Sequence, residues 1–155
     1  MEIERKFLVR ELPHLDNYSF HVIEQAYLCT EPVVRVRAED DTYYMTYKAK
    51  GFLEREEYNL PLTKESYHHL RSKADGNVIT KKRYLIDYLT HTIELDIFTG
   101  IFNGLIIAEV EFDSKVSAEA FTPPEWFGED VTFKEEYHNS YLSKFGWQNP
   151  NSKKI

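Results

Sequence analysis

Glu2, Glu4 and Lys6 occupy alternate positions of the opening stretch Met1-Glu2-Ile3-Glu4-Arg5-Lys6. In an extended strand alternate side chains share a face, which puts the two carboxylates about 7 Å apart with the ammonium beyond them. Carboxylate oxygens at that spacing suit half of a site for Mg²⁺ or Mn²⁺, and the lysine suits an anion held beside the cation. The spacing of two recurs in Arg35 and Arg37, Thr46 and Lys48, Arg55 and Glu57, Lys81 and Arg83, Glu94 and Asp96, and Glu109 and Glu111. A face turned to water would mix Ser, Thr, Gln and Lys, whereas these positions are almost wholly ionisable.

Seven carboxylates (Glu2, Glu4, Glu57, Glu94, Asp96, Glu109, Glu111) oppose seven cations (Lys6, Arg35, Arg37, Lys48, Arg55, Lys81, Arg83). One or two divalent cations bound to the carboxylates make this neutral set positive, and a phosphate chain with about four or five negative charges complements it. Arginine suits that task because its planar fork can bind two phosphate oxygens at once.

The elements that must carry these side chains are mostly strands. Alternation predicts strands from the N-terminus to Val9, at 21–29, 33–38, 43–48, 54–62, 78–89, 92–98 and 105–112. Turns fall near Pro13, at Glu31-Pro32, Asp40-Asp41 and Gly51, near His91, and at 100–104. Thr63 caps a helix to about Lys73, stopped by Asp75-Gly76-Asn77, and a short helix at 117–121 ends before Pro123-Pro124. A last helix runs from about His138 to Phe145, with Gly146 as its stop and a frayed tail at 149–155. The faces opposite the charges are apolar, as in Val34 and Val36, Tyr58 and Leu60, Tyr84 and Ile86, Ile93 to Ile97, and Ile106 to Phe112. The expected fold is therefore α+β, a barrel of loosely duplicated halves with helices packed outside and charges inside. Arg5, Glu56 and Lys82 have the wrong parity and are expected at strand ends or bulges.

Composition limits the alternatives. A length of 155 residues with 42% hydrophobic and 15% aromatic content fits one domain with one core. The net charge of -7 argues against general nucleic-acid binding, without excluding a small phosphorylated ligand. The single cysteine, Cys29, implies no disulfide and is read as a small core or strand residue. No membrane-length apolar stretch or signal peptide appears, so the expected location is cytoplasmic. The histidines lack zinc spacing, and the tyrosines are expected to pack the barrel and its helices.

On these residues the chain resembles the CYTH superfamily of triphosphate tunnel metalloenzymes. The resemblance starts at Glu2-Ile3-Glu4-Arg5-Lys6 and continues through Arg35-Val36-Arg37, Thr46-Tyr47-Lys48, Arg55-Glu56-Glu57 and Lys81-Lys82-Arg83-Tyr84. It extends to Ile93-Glu94-Leu95-Asp96-Ile97-Phe98, Ala108-Glu109-Val110-Glu111-Phe112, the stretch 124–132 and Tyr137-His138-Asn139. It implies a closed eight-stranded antiparallel tunnel over the whole chain and Mg²⁺- or Mn²⁺-dependent chemistry on a triphosphate. The short bacterial members, which hydrolyse inorganic tripolyphosphate to pyrophosphate and phosphate, are the most similar. The resemblance makes Glu2, Glu4 and Glu111 metal ligands, with Glu109 contributing to a second site. Lys6, Arg35, Arg37, Lys48, Arg55, Lys81 and Arg83 would hold phosphates, and Glu57, Glu94 and Asp96 would support them. Glu136 stands where many small bacterial members carry a basic residue before the tyrosine; Lys134 is the nearest substitute. Thiamine triphosphatase, nucleoside or RNA triphosphatase, class IV adenylyl cyclase and a non-catalytic polyphosphate or nucleotide sensor remain as alternatives. The most specific expectation is positional: Glu2 and Glu4 should point inward, close to Glu111.

Overall fold

The computed structural model describes residues 1–150, so nearly all of the expected tail lies outside the described residues. Its strands are β1 (Glu2–Val9), β2 (Phe20–Thr30), β3 (Val33–Glu39), β4 (Thr42–Lys48), β5 (Glu54–Arg55), β6 (Glu57–Leu62), β7 (Asp75–Tyr88), β8 (His91–Thr99), β9 (Ile106–Glu111) and β10 (Phe127–Asp130). The helices are α1 (Lys64–Arg71), α2 (Lys115–Ala120) and α3 (Asn139–Phe145), and none is long and apolar enough to cross a membrane.

All pairings are antiparallel, in the order β10-β1-β9-β8-β7-β2-β3-β4-β6, and β5 pairs back onto the start of β1. Two meanders, β2-β3-β4-β6 and β7-β8-β9, thus abut through the β2–β7 pair. The sheet has ten strands where eight were expected. Glu56 divides the expected strand 54–62 into β5 and β6, and Phe127–Asp130 adds a short strand beside Phe7 and Val9.

Parity set the faces correctly for most strands, and the exceptions have local causes. Arg5 lies within β1 and Lys82 within β7, where each covers apolar surface instead of marking a strand end. Arg5 donates to the Ala118 carbonyl and pairs with Asp130, both at 2.9 Å, with its guanidinium 4.8 Å from the Phe7 ring centre. The Lys82 ammonium sits 5.2 Å from the centre of the Phe20 ring. Both long side chains lie along apolar surface and keep their charge near water. Cys29 is an exposed strand residue and no part of the core.

Thr63 caps α1, its hydroxyl accepting from the Ser66 amide at 3.0 Å, and Tyr67 anchors the helix on Ala26 and Val36. α2 places Ala118 among Phe7, Leu95, Val110 and Phe112. Both helices cover the apolar face as expected, but α3 does not. Beyond the charged rows the same-face positions become apolar at Val33, Ile79, Phe98 and Ile107, and Leu142 of α3 packs on them. Apolar surface must be covered wherever it occurs, so α3 lies on the charged side of the sheet.

Asp75-Gly76-Asn77 opens β7 instead of ending a helix. The β2–β7 register passes from Gln25↔Ile79 to Tyr27↔Asp75, a bulge that absorbs extra residues around Gly76. Gly76 has φ +78°, and a Cβ there would lie 2.5 Å from the Ser143 carbonyl oxygen of α3. Gly76→Ala is therefore expected to lower stability by about 1–3 kcal/mol in chemical denaturation; a wild-type midpoint would show that α3 does not depend on this contact.

Candidate active site

β1 is flanked by β9 along most of its length and by β5 at its start, and this places three carboxylates together. In the β1–β9 register Glu4 faces Glu111 and Lys6 faces Glu109, while Glu2 faces Arg55 across to β5. Opposite charges across a ladder stabilise it, whereas like charges directly opposite destabilise it. The Glu4/Glu111 pair is thus a cost accepted at one point of an otherwise complementary arrangement. Carboxylate oxygens of Glu2, Glu4 and Glu111 lie within 4.8 Å of one another.

Burial, the neighbouring Glu4 and a hydrogen bond shared with Glu57 push Glu2 up to about 8, against the pull of Lys48. Burial, Glu4 and Glu57 likewise raise Glu111. Carboxyls that resist ionising together form a site that a divalent cation would relieve, so the residues fit such an ion.

These strands line one cavity of about 370 Å³ with charged side chains. Twelve of the fourteen expected residues line it, namely Glu2, Glu4, Lys6, Arg35, Arg37, Lys48, Arg55, Glu57, Arg83, Glu94, Glu109 and Glu111. Lys81 and Asp96 do not. They lie beneath it, paired at 2.7 Å with both side chains at 0% exposure. Burial drives the Lys81 ammonium down to about 7 despite that partner.

Most of the cations already have carboxylate partners. Lys6 meets Glu109 at 3.0 Å, and Arg83 holds Asp96 at 2.7 Å, Glu94 at 3.0 Å and Glu109 at 3.4 Å. Lys6 and Arg83 hold Glu109 well below the usual carboxylate range despite its burial, and it is not one of the three clustered carboxylates. Lys48 contacts Glu2 at 3.0 Å and Glu57 at 3.5 Å, and Arg55 reaches Glu2 at 3.4 Å. Burial pushes Glu94 up to about 7, where a carboxyl can exchange a proton near neutrality.

Arg35 and Arg37 differ. Both are buried, and their close partners are neutral: Arg35 donates to Thr46 Oγ1 at 3.1 Å, and Arg37 to Gln25 Oε1 at 2.8 Å and Tyr44 Oη at 3.2 Å. The nearest carboxylate to Arg37, Glu39, is 3.9 Å away, and Arg35 Nε is buried without a hydrogen-bond partner. Burial together with Arg35 and Arg83 lowers the Arg37 pKa. Buried guanidinium donors of this kind suit an anion.

Several lining residues were not singled out from the sequence. Tyr44 and Asn59 share the charged face by parity and could have been found by extending their rows by one step, whereas Tyr27 lies on β2, which carries no charged row, and reaches the face by pairing with Arg35. His138 and Asn139, quoted above only as part of the resemblance and given no role, reach the cavity with Ser140 from the start of α3, which no strand pattern encodes. His138 is buried and lies 2.8 Å, through Nε2, from the Thr132 carbonyl oxygen. A carbonyl only accepts, so Nε2 carries the proton. Burial and the nearby Lys6 push the imidazole down to about 4.

A CYTH domain model matches residues 1–145, and the chain belongs to this family. It is 38% identical over 148 residues to an inorganic triphosphatase of Nitrosomonas europaea, covering 92% of this chain and 96% of that protein. It is 33% identical over 153 residues to an inorganic triphosphatase of Acetivibrio thermocellus, covering 96% of each. A crystal structure of an inorganic triphosphatase superposes with a TM-score of 0.69 at 35% identity, over 92% of this chain and 94% of that one.

His138 should remain neutral, with the proton on Nε2, from its ordinary value of 6.5 down to about 4. A depressed value stabilises the fold above 6.5, and the contribution is lost as pH falls toward 4. Long-range ¹H–¹⁵N NMR reads the tautomer directly, and an imidazolium in that interval would contradict the assignment.

Proposed function

We propose that this chain is a divalent-metal-dependent triphosphatase that hydrolyses inorganic tripolyphosphate to pyrophosphate and phosphate. The observation carrying this reading is the separation of like charge within one cavity: three crowded carboxylates on β1 and β9, and two arginines on β3 without close carboxylate partners. A cation of the Mg²⁺ or Mn²⁺ type belongs with the first group and phosphate oxygens with the second. The inorganic triphosphatases similar to this chain support the same substrate class.

Glu2, Glu4 and Glu111 would hold the cation, which when bound supplies charge to phosphate oxygens and lowers the pKa of water. Arg35 and Arg37 grip the phosphate chain from β3 and set its distance from the carboxylates. Lys6 and Arg83 add donors along the cavity, oriented by Glu109, Glu94 and Asp96, while Lys48 and Arg55 are oriented by Glu2 and Glu57. Water attacks a terminal phosphorus in line and gives its proton to a cavity carboxylate such as Glu94, the phosphoanhydride bond breaks, and pyrophosphate leaves with its charge held by the lysines and arginines. Lys81 contributes from beneath, holding Asp96 against Arg83.

We infer that the sheet closes into a tunnel around this chamber, since β5 pairs β1 while the chain runs on through Glu56 into β6 beside β4. We place the protein in the cytoplasm, where the single unpaired cysteine would remain a thiol.

Released phosphate should be measured on tripolyphosphate, ATP, thiamine triphosphate and polyphosphate, each with Mg²⁺ and Mn²⁺. Tripolyphosphate is expected to be the best substrate, and tight binding without turnover would support the sensor alternative. Glu111→Gln should reduce metal-stimulated turnover at least about 100-fold. It should also remove the thermal stabilisation that the metal gives to the wild type, and near-normal values of both would overturn the ligand assignment.

A further inference from the structure

Resting on the triphosphatase reading, the geometry points to His138 as the residue that ends the phosphate-binding chamber and limits the substrate to short chains. A second chamber of about 330 Å³ adjoins the charged cavity at His138. Val33, Lys48, Arg55, His138 and Ser140 border both, so the two are adjacent and share a wall. A phosphate chain longer than the first chamber would have to pass the imidazole.

The ring is held in one pose. Nε2 donates to the Thr132 carbonyl at 2.8 Å, and the Thr132 hydroxyl in turn accepts from the Lys6 amide at 3.0 Å. Phe52 packs edge-on against the ring at 5.3 Å. With its proton on Nε2 and given to Thr132, His138 has no second N–H to offer a phosphate oxygen, because Nδ1 can only accept. Lysines and arginines offer phosphate oxygens hydrogens, whereas a lone pair repels them. His138 therefore interrupts the run of donors along the chamber.

Charge complementarity also ends there. Lys48 and Arg55, which border both chambers, are engaged by Glu2 and Glu57. Beyond His138, Lys50 is paired with Glu31 at 2.5 Å, and Glu135 stands in the lining with Lys144. Phe52, Tyr141 and Phe145 make up much of the remaining wall. A fourth or fifth phosphate entering this chamber would gain few unpaired cations, in contrast with Arg35 and Arg37 in the first.

The test is the ratio of kcat/KM for a medium-chain polyphosphate to that for tripolyphosphate, measured on the same protein sample. Wild type, His138→Lys and His138→Asn are compared; lysine supplies a cation and asparagine an amide donor. A partly unfolded variant lowers both values alike, so the ratio remains readable. The wild-type ratio is expected to be about one tenth or less, and either variant should raise it about tenfold. Equal wild-type efficiency on both substrates, or an unchanged ratio in both variants, would overturn the role of His138. Failure of the triphosphatase reading looks different, because wild type would then release no phosphate from tripolyphosphate.

Discussion

The structure depends on how charges drawn together on one face of a sheet neutralise one another. Burying an ionised group without a partner costs several kcal/mol, and the cavity is lined with ionisable groups that therefore need partners. Cross-strand registers meet this constraint: Lys6 opposes Glu109, Arg83 opposes Asp96, and Lys48 opposes Glu57. Each pair joins adjacent strands, so the arrangement that keeps the charges tolerable also fixes the strands beside one another.

Function follows from where this neutralisation is incomplete. Glu4 faces Glu111 across the ladder with Glu2 beside them, and Arg35 and Arg37 bond to Thr46, Gln25 and Tyr44 instead of carboxylates. Had all fourteen groups been paired alike, the cavity would be an inert polar core. The crowded carboxylates at one end suit a cation and the arginines at the other suit an anion, the two demands that the proposed metal-bound phosphate chain would meet.

Much of this was legible because strand parity is rigid. Alternation assigned Glu2, Glu4, Lys6 and the pairs on β3, β7, β8 and β9 to one face, and twelve of the fourteen named residues meet in the cavity. What parity could not supply was depth. Lys81 lies on the same row as Arg83, yet apolar neighbours such as Phe98 and Ile107 bring α3 over that end and remove it from the cavity. Nor could local pattern anticipate His138, whose role depends on a loop carbonyl at Thr132 and on the docking of α3. Gly76 was misread for a related reason: glycine marks both helix ends and bulges, and only the close approach of Ser143 decides between them.

The location of the cation decides most directly whether the three clustered carboxylates form the metal site. Anomalous diffraction from crystals grown with Mn²⁺ and tripolyphosphate would locate it without reference to turnover. The expected result is a manganese peak bonded to Glu2, Glu4 and Glu111, with phosphate density against Arg35 and Arg37. Manganese on other carboxylates, or phosphate density away from the β3 arginines, would contradict the central claim.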